Sequence, residues 1–184
     1  MKRQTVLLVI GIGLGILGFD AAQAQGYVKF DGIDGEATVE GYDGWSEFSA
    51  VFQKIAQNET TRGVNTRVEG IPQFQKLALV KPLDKASLKI SDRALRGVST
   101  DLVQIEWVTT FGETLAPYYR YVLEDVTVIE YTSKGLGELS PNLNPDGPIK
   151  EQMVLDFEKI TVTYTEYDEF GNPQGNVEYE WTRP

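Results

Sequence analysis

The 184-residue chain contains no cysteine and no histidine. Their absence excludes Ser-His-Asp and Cys-His catalysis, the usual structural zinc sites and ordinary haem ligation together. No disulfide can staple the fold, so its stability must come from a packed core. The imidazole that switches charge near neutral pH is missing as well. Basic residues are in the minority, 17 against 27 acidic, for a formal net charge of −10. A chain of that sign is repelled by nucleic-acid phosphates and by anionic membrane surfaces, so neither is an expected partner.

The one long apolar run lies at the amino terminus. Met1, Lys2 and Arg3 give a positive start, Thr5 to Phe19 is uncharged, and Ala22-Gln23-Ala24 supplies a small-x-small cleavage pattern. That order reads as a secretory signal peptide over residues 1–24. The run is short for a membrane span of roughly 20 residues, and Gly11, Gly13, Gly15 and Gly18 interrupt it. With no cysteine, a lipid-anchored form is excluded. Cleavage after Ala24 leaves 160 residues, enough for one domain spanning 25–184 with a real core. It removes two basic residues and one acidic one, giving a mature net charge of −11. The expectation is export to the periplasm or the exterior, with no membrane attachment afterwards.

Downstream the periodicity is that of strands. Val28 and Phe30 share a face with Lys29 opposite, and Asp31-Gly32-Ile33-Asp34-Gly35 is a turn. Trp45 to Phe52 reads as one strand, residues 53–70 as a polar loop or irregular edge hairpin, and Phe74 to Val80 as the next strand. Val103, Ile105 and Trp107 alternate with polar residues. Tyr118 to Tyr131 changes phase at Glu124-Asp125, as a bulge would make it do. Residues 151–167 repeat the phase change at Glu158-Lys159. Gly171 to Gly175 forms a hairpin connection into a final strand, in which Val177, Tyr179 and Trp181 alternate with polar residues. Gly135 to Pro148, with three prolines and three glycines, reads as a surface loop.

One helix interrupts the strands. Asp84 is its N-cap and Gly97 its stop, with Leu83, Ala86, Ile90 and Ala94 on the inner face and Lys85, Lys89 and Arg93 opposite. Arg93 and Arg96 suit the negative end of the helix dipole. The fold class is therefore all-β: a two-sheet antiparallel barrel with a single α-helix, near residues 84–96, at its flank.

Five pieces of this chain are similar, in order, to motifs of one known protein family. Tyr27-Val28-Lys29-Phe30-Asp31-Gly32-Ile33-Asp34-Gly35-Glu36 is similar to that family's first strand and turn. Gly44-Trp45 matches the turn before its second strand, and Leu83-Asp84-Lys85-Ala86-Ser87 the opening of its helix. Tyr118 to Val126 resembles its "YY-x-Y-x-LEDV" strand, and Phe157 to Ile160, Tyr164-Thr165 and Trp181 its closing hairpin. Each piece alone is weak, but five in order at family-like spacing are specific. In these five pieces the chain resembles the Hcp family, the tube proteins of type VI secretion, and the resemblance implies a non-enzymatic, ring-forming structural protein without cofactors. Six copies would form a ring, the rings would stack into a tube, and effector or spike proteins would be partners. Tube-building members normally lack a leader, and the 135–148 segment looks longer than the usual connection. The alternative is an exported Hcp-fold barrel that binds a protein or glycan outside a secretion tube.

The remaining candidates have plainer readings. Asp31, Asp34, Glu36 and Asp43 offer oxygens for calcium, but the spacing is not that of an EF-hand loop and the same residues make turns. Glu106, Glu124, Glu130 and Glu166 supply carboxylates without a sign of a cleft between them, as hydrolysis would require. The tyrosines at 118, 119, 121, 131, 164 and 179 serve as strand packing rather than a sugar platform. Charge distribution is more informative. Lys76, Lys81, Lys85, Lys89, Arg93 and Arg96 gather around the helix. Asp156, Glu158, Glu166, Asp168, Glu169, Glu178 and Glu180 gather in the closing hairpin. A ring needs one patch to meet a different patch on the next copy. The expected contact joins Lys85, Lys89, Arg93 and Arg96 of one copy to Glu158, Glu166, Glu178 and Glu180 of its neighbour.

Overall fold

The computed structural model describes residues 25–57, 72–74, 76–111, 114–134 and 149–184. The expected leader (1–24), most of the polar 53–70 segment and the 135–148 loop lie outside the described residues. The strands in chain order are β1 (Gln25–Phe30), β2 (Ser46–Glu47), β3 (Ala50–Phe52), β4 (Ile55–Gln57), β5 (Pro72–Phe74) and β6 (Leu77–Pro82). The helix α1 (Lys85–Arg96) is followed by β7 (Thr100–Phe111), β8 (Thr114–Lys134), β9 (Lys150–Asp156), β10 (Lys159–Tyr167) and β11 (Pro173–Thr182).

Strand β8 belongs to two antiparallel sheets. Its first half lies between β7 and β10, and its second half pairs with β9. One sheet therefore runs β2-β1-β7-β8-β10-β11 and the other β8-β9-β6-β3, while β4 and β5 form a small separate ladder. The bend between the two halves falls where the sequence changes phase. There Asp125 adopts φ 50°, the left-handed conformation that a short polar side chain tolerates. Strand continuity breaks at Phe157-Glu158 for the matching reason: β9 and β10 pair with different halves of β8.

The segment expected as one strand, Trp45 to Phe52, is two short strands on opposite sheets. The Phe48 N–H donates to the Gly26 carbonyl of β1 at 2.9 Å, and the Ser49 N–H donates to the Val80 carbonyl of β6 at 2.7 Å. The chain steps across here and ties the two sheet edges together, as closure of a barrel requires. Gly26 is needed at this crossing, because a Cβ there would lie 2.3 Å from the Phe48 ring. The strand expected over Phe74 to Val80 is likewise divided. Phe74 ends β5, whereas β6 starts at Leu77 and pairs with β3 and β9.

Side chains from both sheets fill the interior, among them Val28, Phe30, Leu79, Val103, Leu123 and Ile160. Helix α1 adds Ala86 and Ile90 to that core, and Ala94 packs against it. Leu83, expected on the same inner face, is exposed. Among the described residues no helix is long and apolar enough to cross a membrane.

Candidate functional site

The start of α1 is held by a buried polar cluster. Asp84 accepts from the Ala86 N–H, and the Ser87 hydroxyl accepts from the Asp84 N–H, closing a capping box. Lys81, wholly buried, places its ammonium 2.7 Å from Asp84 and 3.0 Å from Glu151, and donates to the Pro82 carbonyl. The Tyr131 hydroxyl donates to the second oxygen of Glu151, and Ser46 donates to Asp84. Four strands and the helix therefore share one set of charges. Lys81, counted from the sequence with the surface cations of the helix, is instead an internal fastener. Its position on β6 points inward, and only two carboxylates make that burial tolerable.

Burial alone would raise the Asp84 carboxyl, but hydrogen bonds from Lys81 and Ser46 outweigh it and hold it below the usual carboxylate range. A group depressed in the folded state contributes stability that is complete above its unfolded pKa of about 3.9 and fades as pH falls through the folded value. Asp84→Ala is thus expected to cost most at neutral pH, about 0.5–2 kcal/mol for the cap alone. The deficit should shrink below about pH 4. Urea midpoints at both pH values check this, and an equal deficit at each would contradict it.

The solvent side of α1 is not uniformly charged. Leu88 is 80 % exposed and Leu95 88 % exposed, and Asp92 lies between them at helical spacing. Lys85 and Lys89 are exposed beside this stripe. Arg96 is engaged by Asp92 at 2.8 Å, and half-buried Arg93 donates to the Thr100 hydroxyl at 2.7 Å. Of the four cations expected at an interface, two are thus tied within their own chain.

The closing hairpin divides its residues between two faces. Tyr164 pairs across from Val177, Val162 from Tyr179 and Ile160 from Trp181, so these six share one face. The opposite face pairs Thr163 with Glu178 and Thr161 with Glu180. The β10–β8 ladder ends at Tyr164, and beyond it the apolar face runs past the core. On β11, which pairs with β10 at the sheet edge, Val177 is 74 % exposed and Tyr179 44 % exposed. The alternation read in β11 is real, but only Trp181 reaches the core from it. Glu178 accepts from Thr163, Glu180 pairs with Lys159 and Glu158 pairs with Arg183. Glu166 stands exposed on the apolar face, opposite Gly175.

Several of the other carboxylates have structural occupations, while Glu130 and Asp31 are exposed. Glu106 is buried between the Tyr42 hydroxyl and the Arg120 guanidinium, each 2.6 Å away, and Glu124 pairs with Lys159. Asp34 receives the Lys29 ammonium, and Glu36 accepts from the Lys85 N–H. Among the described residues no three acidic side chains converge as metal ligands would. A groove of about 340 Å³ lined by Phe111, Tyr118, Tyr164 and Tyr167 carries no acid–base pair.

A family model described as "Type VI secretion system effector, Hcp" matches residues 27–164. The chain belongs to the Hcp family. It is a tube and effector protein of type VI secretion, and not an enzyme. The Hcp family forms hexameric rings and is secreted through the type VI system. No curated protein matches the chain. Solved structures share the Hcp fold. A type six secretion system protein is 22 % identical with a TM-score of 0.75, covering 86 % of this chain and 95 % of its own. A mutant Hcp1 from E. coli EAEC 042 is 21 % identical with a TM-score of 0.67, covering 88 % and 99 %. Hcp1 from Salmonella typhimurium is 17 % identical with a TM-score of 0.66, covering 86 % and 94 %.

Sequence reasoning missed the two exposed leucines of this Hcp-family helix. Their seven-residue separation was available as a sign. Leu88 and Leu95 are out of phase with Ala86, Ile90 and Ala94, and a second apolar phase on one helix means a second contact face.

Proposed function

We propose that residues 25–184 assemble as a homo-hexameric ring, exported to the periplasm or exterior after cleavage behind Ala24. In this reading the rings stack, and effector or spike proteins are the partners that occupy or cap them. The observation that carries it is the pair of uncovered apolar faces, one on α1 and one on the closing hairpin. Large apolar side chains grouped in the open on one face of an element mark an interaction site. The two faces differ in sign of charge, which suits a contact between unlike patches of successive copies. Of the eight charges expected at the contact, Lys85 and Lys89 supply the basic side and Glu166 the acidic side, while Arg93, Arg96, Glu158, Glu178 and Glu180 are tied within the chain or turned to the other hairpin face. Lys85, Lys89 and Glu166 are the members best placed to reach another copy.

Expression of the full chain, followed by amino-terminal sequencing and native mass measurement, tests both parts. The expected protein starts at Gln25 and has the mass of six copies. An unprocessed hexamer would remove the leader from the reading, and a processed monomer would remove the ring. The latter result would instead favour an exported Hcp-fold binding module working outside a tube, which the sequence of residues 1–24 supports.

A further inference from the structure

We infer that the contact between copies is directional and anchored by apolar side chains from two unlike surfaces. The Leu88/Leu95 stripe of α1 on one copy seats on the Tyr164/Val177/Tyr179 face of the β10–β11 hairpin on the next. This rests on the ring reading and specifies which surfaces build it.

The helix side follows from periodicity. Ala86 and Ile90 point into the core, which turns Leu88, Asp92 and Leu95 outward on a separate face. Lys85 and Lys89 flank that face. The hairpin side follows from register. Tyr164, Val177 and Tyr179 lie on one face of the ladder, and Glu166 follows two residues beyond Tyr164 on the same face. The hairpin surface has an apolar centre and a charged margin, and the helix surface sets its two leucines around the Asp92–Arg96 ion pair with the lysines beside them, so each mixes apolar anchors with polar groups as a protein interface does. The margins are opposite in sign, so Glu166 of one copy is matched to Lys85 and Lys89 of another.

Charge also decides against the symmetric pairings. A helix-to-helix contact offers Lys85 and Lys89 no acidic group on that face but Asp92, which Arg96 already holds. A hairpin-to-hairpin contact would oppose Glu166 to itself. Like charges across an interface suppress such pairings. Only the unlike pairing satisfies both margins, and a contact between unlike surfaces propagates until it closes. Of the four glutamates on the acidic side, Glu166 alone faces this contact. Glu178 and Glu180 lie on the opposite hairpin face, and Glu158 is held by Arg183 between strands.

The absence of cysteine makes the test clean, since an introduced thiol is the only one present. Two full-length variants, Leu88→Cys and Val177→Cys, are coexpressed with different tags, purified as the assembled particle and oxidised. The pair Leu95→Cys with Val177→Cys is run beside it, because a disulfide needs Cβ atoms about 3.5–4.5 Å apart. Each chain holds one thiol, so no bridge can form within a chain. The expected product, from at least one pair, is a dimer joining the helix variant to the hairpin variant, in several-fold excess over either homodimer. A predominance of helix–helix dimers overturns the inference. So does an absence of mixed dimers in a particle whose native mass is still that of a ring. The mass of the unmodified protein is measured in parallel, and a monomer there defeats the ring reading itself.

Discussion

Lys81→Met is expected to destabilise the fold by about 3–5 kcal/mol, the cost of stranding buried charge. Lys81 and Glu151 are both fully buried, and Asp84 nearly so. With the ammonium gone, Glu151 keeps the Tyr131 hydroxyl and Asp84 keeps Ser46 and the Ala86 N–H, but neither retains a counter-charge. Since a typical domain has about 5–15 kcal/mol in hand, this variant should sit near the edge of stability. Removing the second charge as well, in Lys81→Met/Glu151→Met, should recover part of the loss because fewer uncompensated charges remain. The deficit of the single variant should be largest at neutral pH and smaller in acid. Acid removes the negative charge that the missing ammonium leaves unpaired, which is the source of the deficit. Urea unfolding followed by tryptophan fluorescence reads all three. A single-variant loss below about 1 kcal/mol would show that the cluster holds little.

Leu123→Ala is expected to cost about 2–5 kcal/mol, through lost transfer energy and the cavity left behind. Leu123 is fully buried on β8, opposite Val103 of β7 and Ile160 of β10, so it joins the hairpin to the barrel. Val177→Ala, on the same hairpin but 74 % exposed, is expected to change monomer stability by no more than about 0.5 kcal/mol. The contrast separates the half of the hairpin that belongs to the core from the half left uncovered. Thermal and urea midpoints measured at low protein concentration, where assembly does not contribute, provide the comparison. Equal losses at the two positions would mean that the outer hairpin is part of the core after all.

Much of this architecture can be read from the residues alone. The helix limits follow from Asp84 and Gly97, because capping and the left-handed stop at φ 62° are local chemistry. The bend of β8 was legible as a phase change at Glu124-Asp125, since a bulge reverses which parity faces inward. The Hcp-like motifs are legible for the same reason: each sits on a strand, turn or cap whose pattern is local. The divided strands were harder. Trp45 to Phe52 has a continuous strand composition, yet its two halves hydrogen-bond to different sheets, and a period-two pattern carries no record of which neighbour a strand has.

The candidate site shows the same division between local and non-local information. Counting charges found a basic helix and an acidic hairpin, but could not separate surface from interior or one hairpin face from the other. Lys81 and Lys85 look alike in the sequence, yet Lys81 meets Asp84 and Glu151 in the interior while the Lys85 side chain is exposed. Glu166 and Glu178 look alike too, and ladder register alone puts them on opposite sides.

By itself the sequence determined the strand-rich class, the capped helix, the exclusion of histidine and cysteine chemistry and the likeness to Hcp proteins. These depend on composition and on patterns spanning a few residues. Only the tertiary structure decided which charges are internal, where the strands change sheets, and that Leu88, Leu95 and Val177 stand uncovered. Those features depend on burial and pairing between segments distant in the chain, which no short-range pattern encodes.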